Sequence, residues 1–254
     1  MVVVLKLGGS VLTEKDRPET LDRASLDACA GAIGDRDRGL VPDGDLLLVH
    51  GGGSFGHYRA EEHGVSVVDG TDDPAAVLAV HDSMRRLNDA VVAALHEHGV
   101  PAVGVEPLSL ASRDATGGLD LPTRSIAAML AGGFVPVVFG DVVATAGDGF
   151  TVLSGDELAV ALAAAFDADR VGMCSGVPGV FGADGEVLDH IDSLDDVAEA
   201  FGDVDGWDVT GGMAAKVGAL LDLPAPAAVF GRDALPAFLA GEPAGTRIGR
   251  VDGA

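Results

Sequence analysis

The sequence predicts an α/β fold, a three-layer αβα sandwich with a central, mostly parallel sheet. Short apolar runs such as VVVLKL recur along the chain, and segments with the apolar spacing of helices alternate with them. Most of these runs are apolar throughout rather than alternating in polarity, which is typical of strands buried on both faces. Glycine clusters follow several runs, at the edge where an open parallel sheet binds ligands.

The individual elements follow from local patterns. The run VVVL is rich in β-branched residues, which favour strands, and DLLLVH repeats the form before three glycines. In the segment 74–98, Val77, Leu78, Met84 and Leu87 recur at helical spacing. Strands are predicted at 2–9, 45–53, 101–105, 134–143, 170–176, 226–230 and 246–249, with a hairpin at TAGDGF. Helices are predicted at 21–34, 74–98, 126–133, 156–166, 194–201, 213–223 and 233–240.

The amino-acid composition limits which binding partners and which cellular environment we expect for the protein. The 254 residues include 40 acidic and 16 basic side chains, for a net charge of −24. Binding to nucleic acid or to an anionic membrane needs basic patches, so we expect neither partner. An acidic, lysine-poor surface resembles that of proteins from extreme halophiles, whose salt screens the repulsion. Because the first residues, MVVVL, lack the basic start of a signal peptide, we expect a cytoplasmic protein.

Four glycine-rich segments indicate a polyanionic ligand. They are KLGGS (6–10), HGGGSFGH (50–57), the stretch from GDV to LSGD (140–156) and DVTGGM (208–213). Glycine lets backbone N–H groups approach phosphate oxygens, and a helix N-terminus adds a favourable dipole. One such segment is weak evidence, but four at strand or helix ends together predict a phosphate-binding edge. None has the Walker A or GxGxxG form.

The lysines point to the same edge. The chain has only three, Lys6, Lys15 and Lys216, and each lies beside a glycine-rich turn. A compact ammonium group follows a moving phosphoryl group as a point charge, whereas the rigid guanidinium of arginine is harder to place. An ordinary surface role is a reasonable alternative for one lysine but a poor one for all three. The three lysines therefore strengthen the prediction of a polyanionic ligand at this edge.

The motifs KLGGSVLTEK, HGGGSFGH, LSGDEL and DVTGGMAAK, in this order, resemble the landmarks of the amino acid kinase superfamily over essentially the whole chain. Within it, HGGGSFGH and MRRLN (84–88) resemble the isopentenyl phosphate kinases. The resemblance implies ATP-dependent phosphorylation of isopentenyl phosphate to isopentenyl diphosphate, in the alternative mevalonate pathway of isoprenoid biosynthesis. It also implies one domain over 1–254, with an acceptor-binding N-terminal part and a nucleotide-binding part from about 155 to 254. A homodimer is implied as well.

The resemblance assigns residues to the phosphates of ATP. The loop after the first strand holds these phosphates, Lys15 stabilises charge on the transferring group, and Lys216 reaches the β- and γ-phosphates. Mg²⁺ would bridge the phosphates and keep several waters, and no residue is assigned as a metal ligand. The implied nucleotide-binding residues are Lys6, Gly8, Gly9, Ser10, Gly53, Asp208, Thr210, Gly211, Gly212 and Lys216.

Other residues are assigned to the acceptor and to catalysis. Gly52 and Gly53 give backbone N–H groups to the two phosphates, Gly155 meets the acceptor phosphate from the other side, and His57 donates a hydrogen bond to it. Asp156 orients Lys6 and Lys15 and keeps them charged, although an aspartate there also suits a helix N-cap. A phosphate acceptor is already nucleophilic, so no general base is assigned. The implied catalytic residues are Lys6, Lys15, His57, Asp156 and Lys216.

Several assignments stay open at this point. His50 ends a buried strand and is interpreted as structural, and His81 is expected near an apolar pocket lined from helix 74–98. Val77, Leu78 and Met84 could line that pocket or belong to the core. Gly176 and Pro178 stand where the family usually carries the aspartates of a TDVDGV-like sequence, so no adenine or ribose contact is assigned.

Three alternative functions remain. A kinase for a phosphonate such as fosfomycin would share the glycine loop and the histidine, but its pocket would be small and polar. A kinase of the acetylglutamate type would need an arginine and an asparagine for its substrate, and the sequence pattern assigns no residues to that pair. A nucleotide sensor without catalysis would not need to keep Lys6, Lys15, Asp156 and Lys216.

Overall fold

Strands and helices alternate along the chain as predicted. The computed structural model describes residues 1–35, 45–196 and 213–249. The strands in these ranges are β1 (Val2–Leu7), β2 (Asp45–His50), β3 (Ala102–Val105), β4 (Ser112–Arg113), β5 (Leu119–Asp120), β6 (Val135–Phe139), β7 (Asp141–Thr145), β8 (Gly149–Leu153), β9 (Arg170–Ser175), β10 (His190–Ile191), β11 (Ala227–Gly231) and β12 (Thr246–Ile248). The helices are α1 (Gly9–Leu12), α2 (Arg23–Asp35), α3 (Gly53–Glu62), α4 (Pro74–Glu97), α5 (Arg124–Ala131), α6 (Gly155–Ala165), α7 (Met213–Leu221) and α8 (Leu235–Ala240).

A large sheet with β1 near its centre organises the fold. Its eight strands have the order β10-β12-β11-β9-β1-β2-β6-β3. Every neighbouring pair in this order is parallel except β11 and β12. The predicted fold class, a mostly parallel sheet within an αβα sandwich, is confirmed. The carboxyl ends of β1, β2, β6 and β9 therefore lie along one edge.

The two faces of the sheet form separate apolar cores. Val3, Leu5 and Leu7 of β1 contribute to a core with buried residues of α2, α4 and α8. Val4 contributes to the core on the other face, together with residues of α5, α6 and α7. Since side chains alternate along a strand, Lys6 lies on the same face as Val4 and hence toward α6. The alternation of β1 thus determines which helix the first lysine meets.

The predicted strand 134–143 is wrong in its extent, because the chain changes sheets at Gly140. β6 lies in the large sheet, whereas β7 belongs to a second sheet with the order β5-β4-β7-β8. β7 and β8 form the hairpin that TAGDGF predicts. A Cβ built on Gly140 would lie 3.2 Å from the backbone nitrogen of Gly155, so the crossing passes directly beneath the start of α6.

The second sheet encloses a third apolar cluster. Val142 of this sheet meets Ala60 and Val65 from the region of α3, and Val77 and Val80 from α4. The predicted helix 194–201 lies largely outside the described residues. Among the helices that the structure describes, none is long and apolar enough to cross a membrane.

Candidate active site

Two glycine segments meet at the carboxyl edge of the large sheet. Leu7 of β1 is opposite His50 of β2, so the turns that follow these strands are neighbours. A Cβ built on Gly9 would lie only 2.0 Å from the backbone nitrogen of Gly53. Gly53 itself has a φ of +48°, a conformation that side chains rarely adopt. Gly9 and Gly53 are therefore needed because the two turns pack backbone against backbone here. This need exists whether or not a ligand is bound.

The third glycine segment, through Gly155, packs against the same pair of turns. A Cβ built on Gly155 would lie 2.9 Å from the carbonyl oxygen of His50. Gly155 is the first residue of α6, and the hydroxyl of Ser154 caps this helix by accepting a hydrogen bond from the backbone N–H of Glu157 at 3.1 Å. Asp156 is thus not the N-cap, and its carboxylate is free to face the cavity.

Asp156 joins two of the three lysines. Nζ of Lys6 lies 2.8 Å from Oδ1 of Asp156, and Nζ of Lys216 lies 3.6 Å from Oδ2. Both contacts are ion pairs. No ion pair links Asp156 to Lys15 in the described part of the chain, so the expectation that Asp156 orients Lys15 is not supported, and Lys216 takes that place.

The charges of this cluster shift one another's pKa. Burial alone would raise the pKa of Asp156, but the positive charges of Lys6 and Lys216 outweigh burial and lower it. Burial, followed by the charge of Lys6, lowers the pKa of Lys216, while Asp156 opposes the shift. Asp156 is therefore a carboxylate that holds two ammonium groups at one point, which makes it a poor general base.

Two cavities meet at this cluster. One, of about 690 Å³, is polar near the glycines and apolar at its far end. The other, of about 520 Å³, extends from the same cluster past Gly8, Ser10 and Lys15. Both cavities are bordered by Lys6, Gly9, His57, Glu61, Asp156 and Lys216. Two ligands could therefore occupy the two cavities and touch at the lysines.

His57 lies at this junction on the second turn of α3. Its side chain is exposed to the cavities but has protein on most sides. This partial burial, followed by the charge of Lys6, lowers the pKa of His57, while Asp156 opposes the shift. Its ring makes no hydrogen bond to any residue that the structure describes, so both nitrogens are available to a ligand.

Some of the remaining predicted residues border the two cavities, and others lie outside the described part of the chain. Gly8 and Ser10 border the smaller cavity, whereas Gly52 borders the larger one. Lys15 is exposed at the rim of the smaller cavity. Asp208, Thr210, Gly211 and Gly212 lie outside the described residues, so their predicted nucleotide contacts stay predictions.

Known proteins share this architecture and sequence. The sequence model of the Amino acid kinase family matches residues 1–224. The chain belongs to the amino acid kinase family. Within the family, it is 55% identical to the isopentenyl phosphate kinase of Haloferax volcanii over 97% of this chain and 98% of that protein. It is 35% identical to that of Methanothermobacter thermautotrophicus over 87% and 86%. A solved isopentenyl phosphate kinase structure superimposes with a TM-score of 0.83 at 30% identity, covering 98% and 100%.

In this family member, the apolar end of the larger cavity departs from the predicted lining. Met84 borders the cavity as expected, but Val77 is buried in the third cluster and Leu78 is 55% exposed. The apolar stripe of α4 contains residues that line the cavity and residues that belong to the core. Helical spacing alone therefore does not separate the two groups. The apolar residues that line the cavity near α3 and α4 are Ala60, Val65, Val67, Val80, Met84 and Val152.

The structure also adds ionic contacts that the sequence reasoning missed. Arg113 of β4 forms a bidentate pair with Glu157, at 2.5 and 2.6 Å, next to Asp156. His81 lies 2.8 Å from the carboxylate of Asp141, which borders the larger cavity. Each pair joins the second sheet to a neighbouring helix, and a contact between such distant residues leaves no local pattern in the sequence.

His50 is structural, as predicted, and makes stability depend on pH. Nδ1 lies 3.2 Å from the carbonyl of Gly51, Nε2 lies 3.3 Å from Oδ1 of Asn88, and the ring stacks on Phe139. Burial lowers the pKa of His50 from 6.5 to about 4. In the window between these values, the unfolded chain binds a proton that the folded chain does not, so stability falls as the pH falls.

We expect this one side chain to cost the folded state about 2 to 3 kcal/mol at about pH 4.5, relative to neutral pH. Urea unfolding at the two pH values measures the loss. The His50→Asn variant serves as the control, because it lacks the titrating group and keeps a polar side chain. An equal loss of stability in the variant and the unchanged protein would contradict this assignment.

Proposed function

We propose that the protein transfers the γ-phosphoryl group of ATP to isopentenyl phosphate, giving isopentenyl diphosphate and ADP. The observation that carries the proposal is the larger cavity, which has lysines, His57 and glycine backbone at one end and aliphatic side chains at the other. A short hydrocarbon tail with a phosphate head has the same two-part character. The 55% identity to an isopentenyl phosphate kinase supports this assignment.

The arrangement suits a transfer that needs alignment and neutralisation rather than a base. An oxygen of the acceptor phosphate attacks the γ-phosphorus, the bond to the β–γ bridging oxygen breaks, and its electron pair leaves with ADP. Lys6 and Lys216, held together by Asp156, are placed to neutralise the two polyanions where the cavities meet. Lys15 reaches the transferring group from the rim, and His57 binds the acceptor phosphate.

The chain divides this work between its two parts. His57 and the apolar cavity wall near α3 and α4 come from the N-terminal part, whereas Asp156 and Lys216 come from residue 155 onward. The described residues contain no group of three acidic, histidine or cysteine side chains that could hold a metal ion. We propose, as the resemblance implies, that Mg²⁺ bridges the phosphates of ATP and keeps several waters. A homodimer and a cytoplasmic location remain predictions.

An acceptor panel tests the function. ADP release, measured with a coupled assay in high salt, should be fastest with isopentenyl phosphate and slower with dimethylallyl phosphate, fosfomycin or acetylglutamate. Turnover fastest with fosfomycin or acetylglutamate would favour the corresponding alternative kinase. ATP binding without turnover on any acceptor would favour a sensor and overturn the proposal.

Two neighbouring valines test the apolar end of the cavity. Val67 lines the cavity and is 41% exposed, whereas Val68 is 68% exposed and lies outside it. The Val67→Asp variant is expected to raise the KM for isopentenyl phosphate about tenfold, because a charge replaces a tail contact. The KM for ATP should stay unchanged. Val68→Asp is the matched control, and an equal effect of both changes on the acceptor KM would contradict the assigned tail pocket.

A further inference from the structure

Lys15 lies in the loop of residues 13–21, which follows α1, and it depends on this loop for its position. The side chain is exposed and forms no ion pair or hydrogen bond with any residue in the described ranges. The loop folds back on itself, since the N–H of Glu14 donates to the carbonyl of Thr20 at 3.0 Å and Thr13 bridges to Leu21. Whatever holds this loop therefore also determines where Lys15 lies relative to the transferring group.

The loop is attached to α3 at Ser54. The N–H of Glu19 donates to the carbonyl of Ser54 at 3.0 Å, and the N–H of Thr20 lies 3.3 Å from the hydroxyl oxygen of Ser54. The N–H of Ser54 in turn donates to Oγ1 of Thr13 at 2.9 Å. These bonds anchor both ends of the loop but leave Lys15 between them.

The carboxylate of Glu19 makes the longest-range contacts of the loop. Its Oε1 accepts from Nε of Arg59 at 3.0 Å and from the hydroxyl of Ser83 at 2.8 Å, and it also accepts from Arg86. Burial alone would raise the pKa of Glu19, but the bonds from Arg59 and Ser83 and the two positive charges lower it. The residue is also held at a φ of +48°, an unfavourable conformation outside glycine.

The partners of Glu19 come from the elements that build the acceptor site. Arg59 follows His57 by two residues on α3, and Arg86 follows Met84 by two residues on α4. One oxygen atom therefore joins the loop of Lys15, the helix of His57 and the helix that lines the apolar cavity. Arg86 belongs to the MRRLN segment, and the transfer mechanism gives Arg86 itself no other role.

We propose that Glu19 is a positioning residue, which holds the Lys15 loop on α3 and α4 so that Lys15 and His57 keep a fixed separation across the reacting phosphates. This inference rests on the proposed function, because it assigns Lys15 to the transferring group. A carboxylate that only stabilised the fold would lower the melting temperature without a specific link to Lys15.

Kinetics in two backgrounds separate these roles. Glu19→Gln keeps the size of the side chain but removes the charge, and we expect kcat to fall about 10- to 100-fold because the loop is misplaced. In the Lys15→Ala background, the same change should alter kcat less than about twofold, since the group that it positions is absent. Equal losses in both backgrounds, or no loss in the first, would overturn the proposal.

Glu62→Gln is the matched control. Glu62 also binds Arg59, through Nη1 at 2.7 Å, but it is exposed and does not touch the loop. This variant should keep kcat near that of the unchanged protein.

Hydrogen exchange supplies a readout that does not depend on activity. Amides of residues 13–21 should exchange faster in Glu19→Gln than in Glu62→Gln, while α6 exchanges alike in both. Unchanged hydrogen exchange in this segment would refute the proposal that Glu19 holds the loop, even if kcat fell. If the unchanged protein releases no ADP with isopentenyl phosphate, the proposed function fails, and the exchange experiment still decides whether Glu19 holds the loop.

Discussion

Replacement of His57 by alanine is expected to lower kcat/KM for isopentenyl phosphate about 100-fold, as when a donor to a charged transition state is lost. The KM for ATP should change by less than about twofold, because His57 belongs to the acceptor side. Burial, followed by the charge of Lys6, lowers the pKa of His57 and so favours the neutral imidazole, which still donates one hydrogen bond. Steady-state kinetics with each substrate varied in turn measure both effects.

His63→Ala is the control for this change. His63 follows the same helix and lies near Glu62, but it does not border either cavity. Its replacement should leave both kinetic constants near those of the unchanged protein. If His57→Ala weakened ATP use and acceptor use equally, His57 would not be an acceptor ligand.

Asp156→Asn is expected to lower kcat about 100-fold or more, because the preorganised charge at the transfer point is lost. Lys6 and Lys216 would then lie together without the carboxylate that separates their charges. Since Asp156 raises the pKa of Lys216 against burial and Lys6, its removal lowers that pKa further. The alkaline limb of the pH–rate profile should therefore move to lower pH.

A pH–rate profile of the variant tests this directly. Asp82→Asn is a suitable control, because Asp82 is an exposed carboxylate whose ion pair with Arg85 lies away from the cavities. A normal kcat in Asp156→Asn, or an alkaline limb that moves to higher pH, would contradict the assigned role of Asp156.

The sequence predicted the fold class because most strands of the large sheet carry their signal locally. The runs VVVLKL and DLLLVH are mostly apolar and do not alternate in polarity, and each forms a strand that is buried on both faces. Helix α3 was missed because it begins at Gly53, after a glycine run that has low helix propensity. At the start of α3, Gly53 packs against Gly9, and Gly52 and Gly56 pack against Met84. These tertiary contacts override the low helix propensity of the glycines.

The second sheet could not be predicted for a related reason. β4 and β5 have two residues each, too few to show any alternation, and β7 is continuous in sequence with β6. Only the pairing of β7 with β8 and the crossing beneath Gly155 separate the sheets.

The candidate site was predictable where residue type is restrictive. Few residues can replace a lysine or a glycine beside a phosphate, so Lys6, Gly9 and Lys216 stood out in a lysine-poor chain. Glu19 did not stand out, because a glutamate in so acidic a sequence is ordinary. Its meaning lies in contacts with residues 40 or more positions away, which only the folded chain brings together.

The central claim is that the acceptor is itself a phosphate monoester on an apolar tail. Phosphorus NMR of the reaction mixture tests it, with isopentenyl phosphate and isopentenol compared as acceptors at equal concentration. The predicted result is a pair of coupled diphosphate signals that grow with isopentenyl phosphate in step with ADP, and no phosphorylated product from isopentenol. Phosphorylation of isopentenol at a comparable rate, or ADP formation without a new P–O–P bond, would contradict the account.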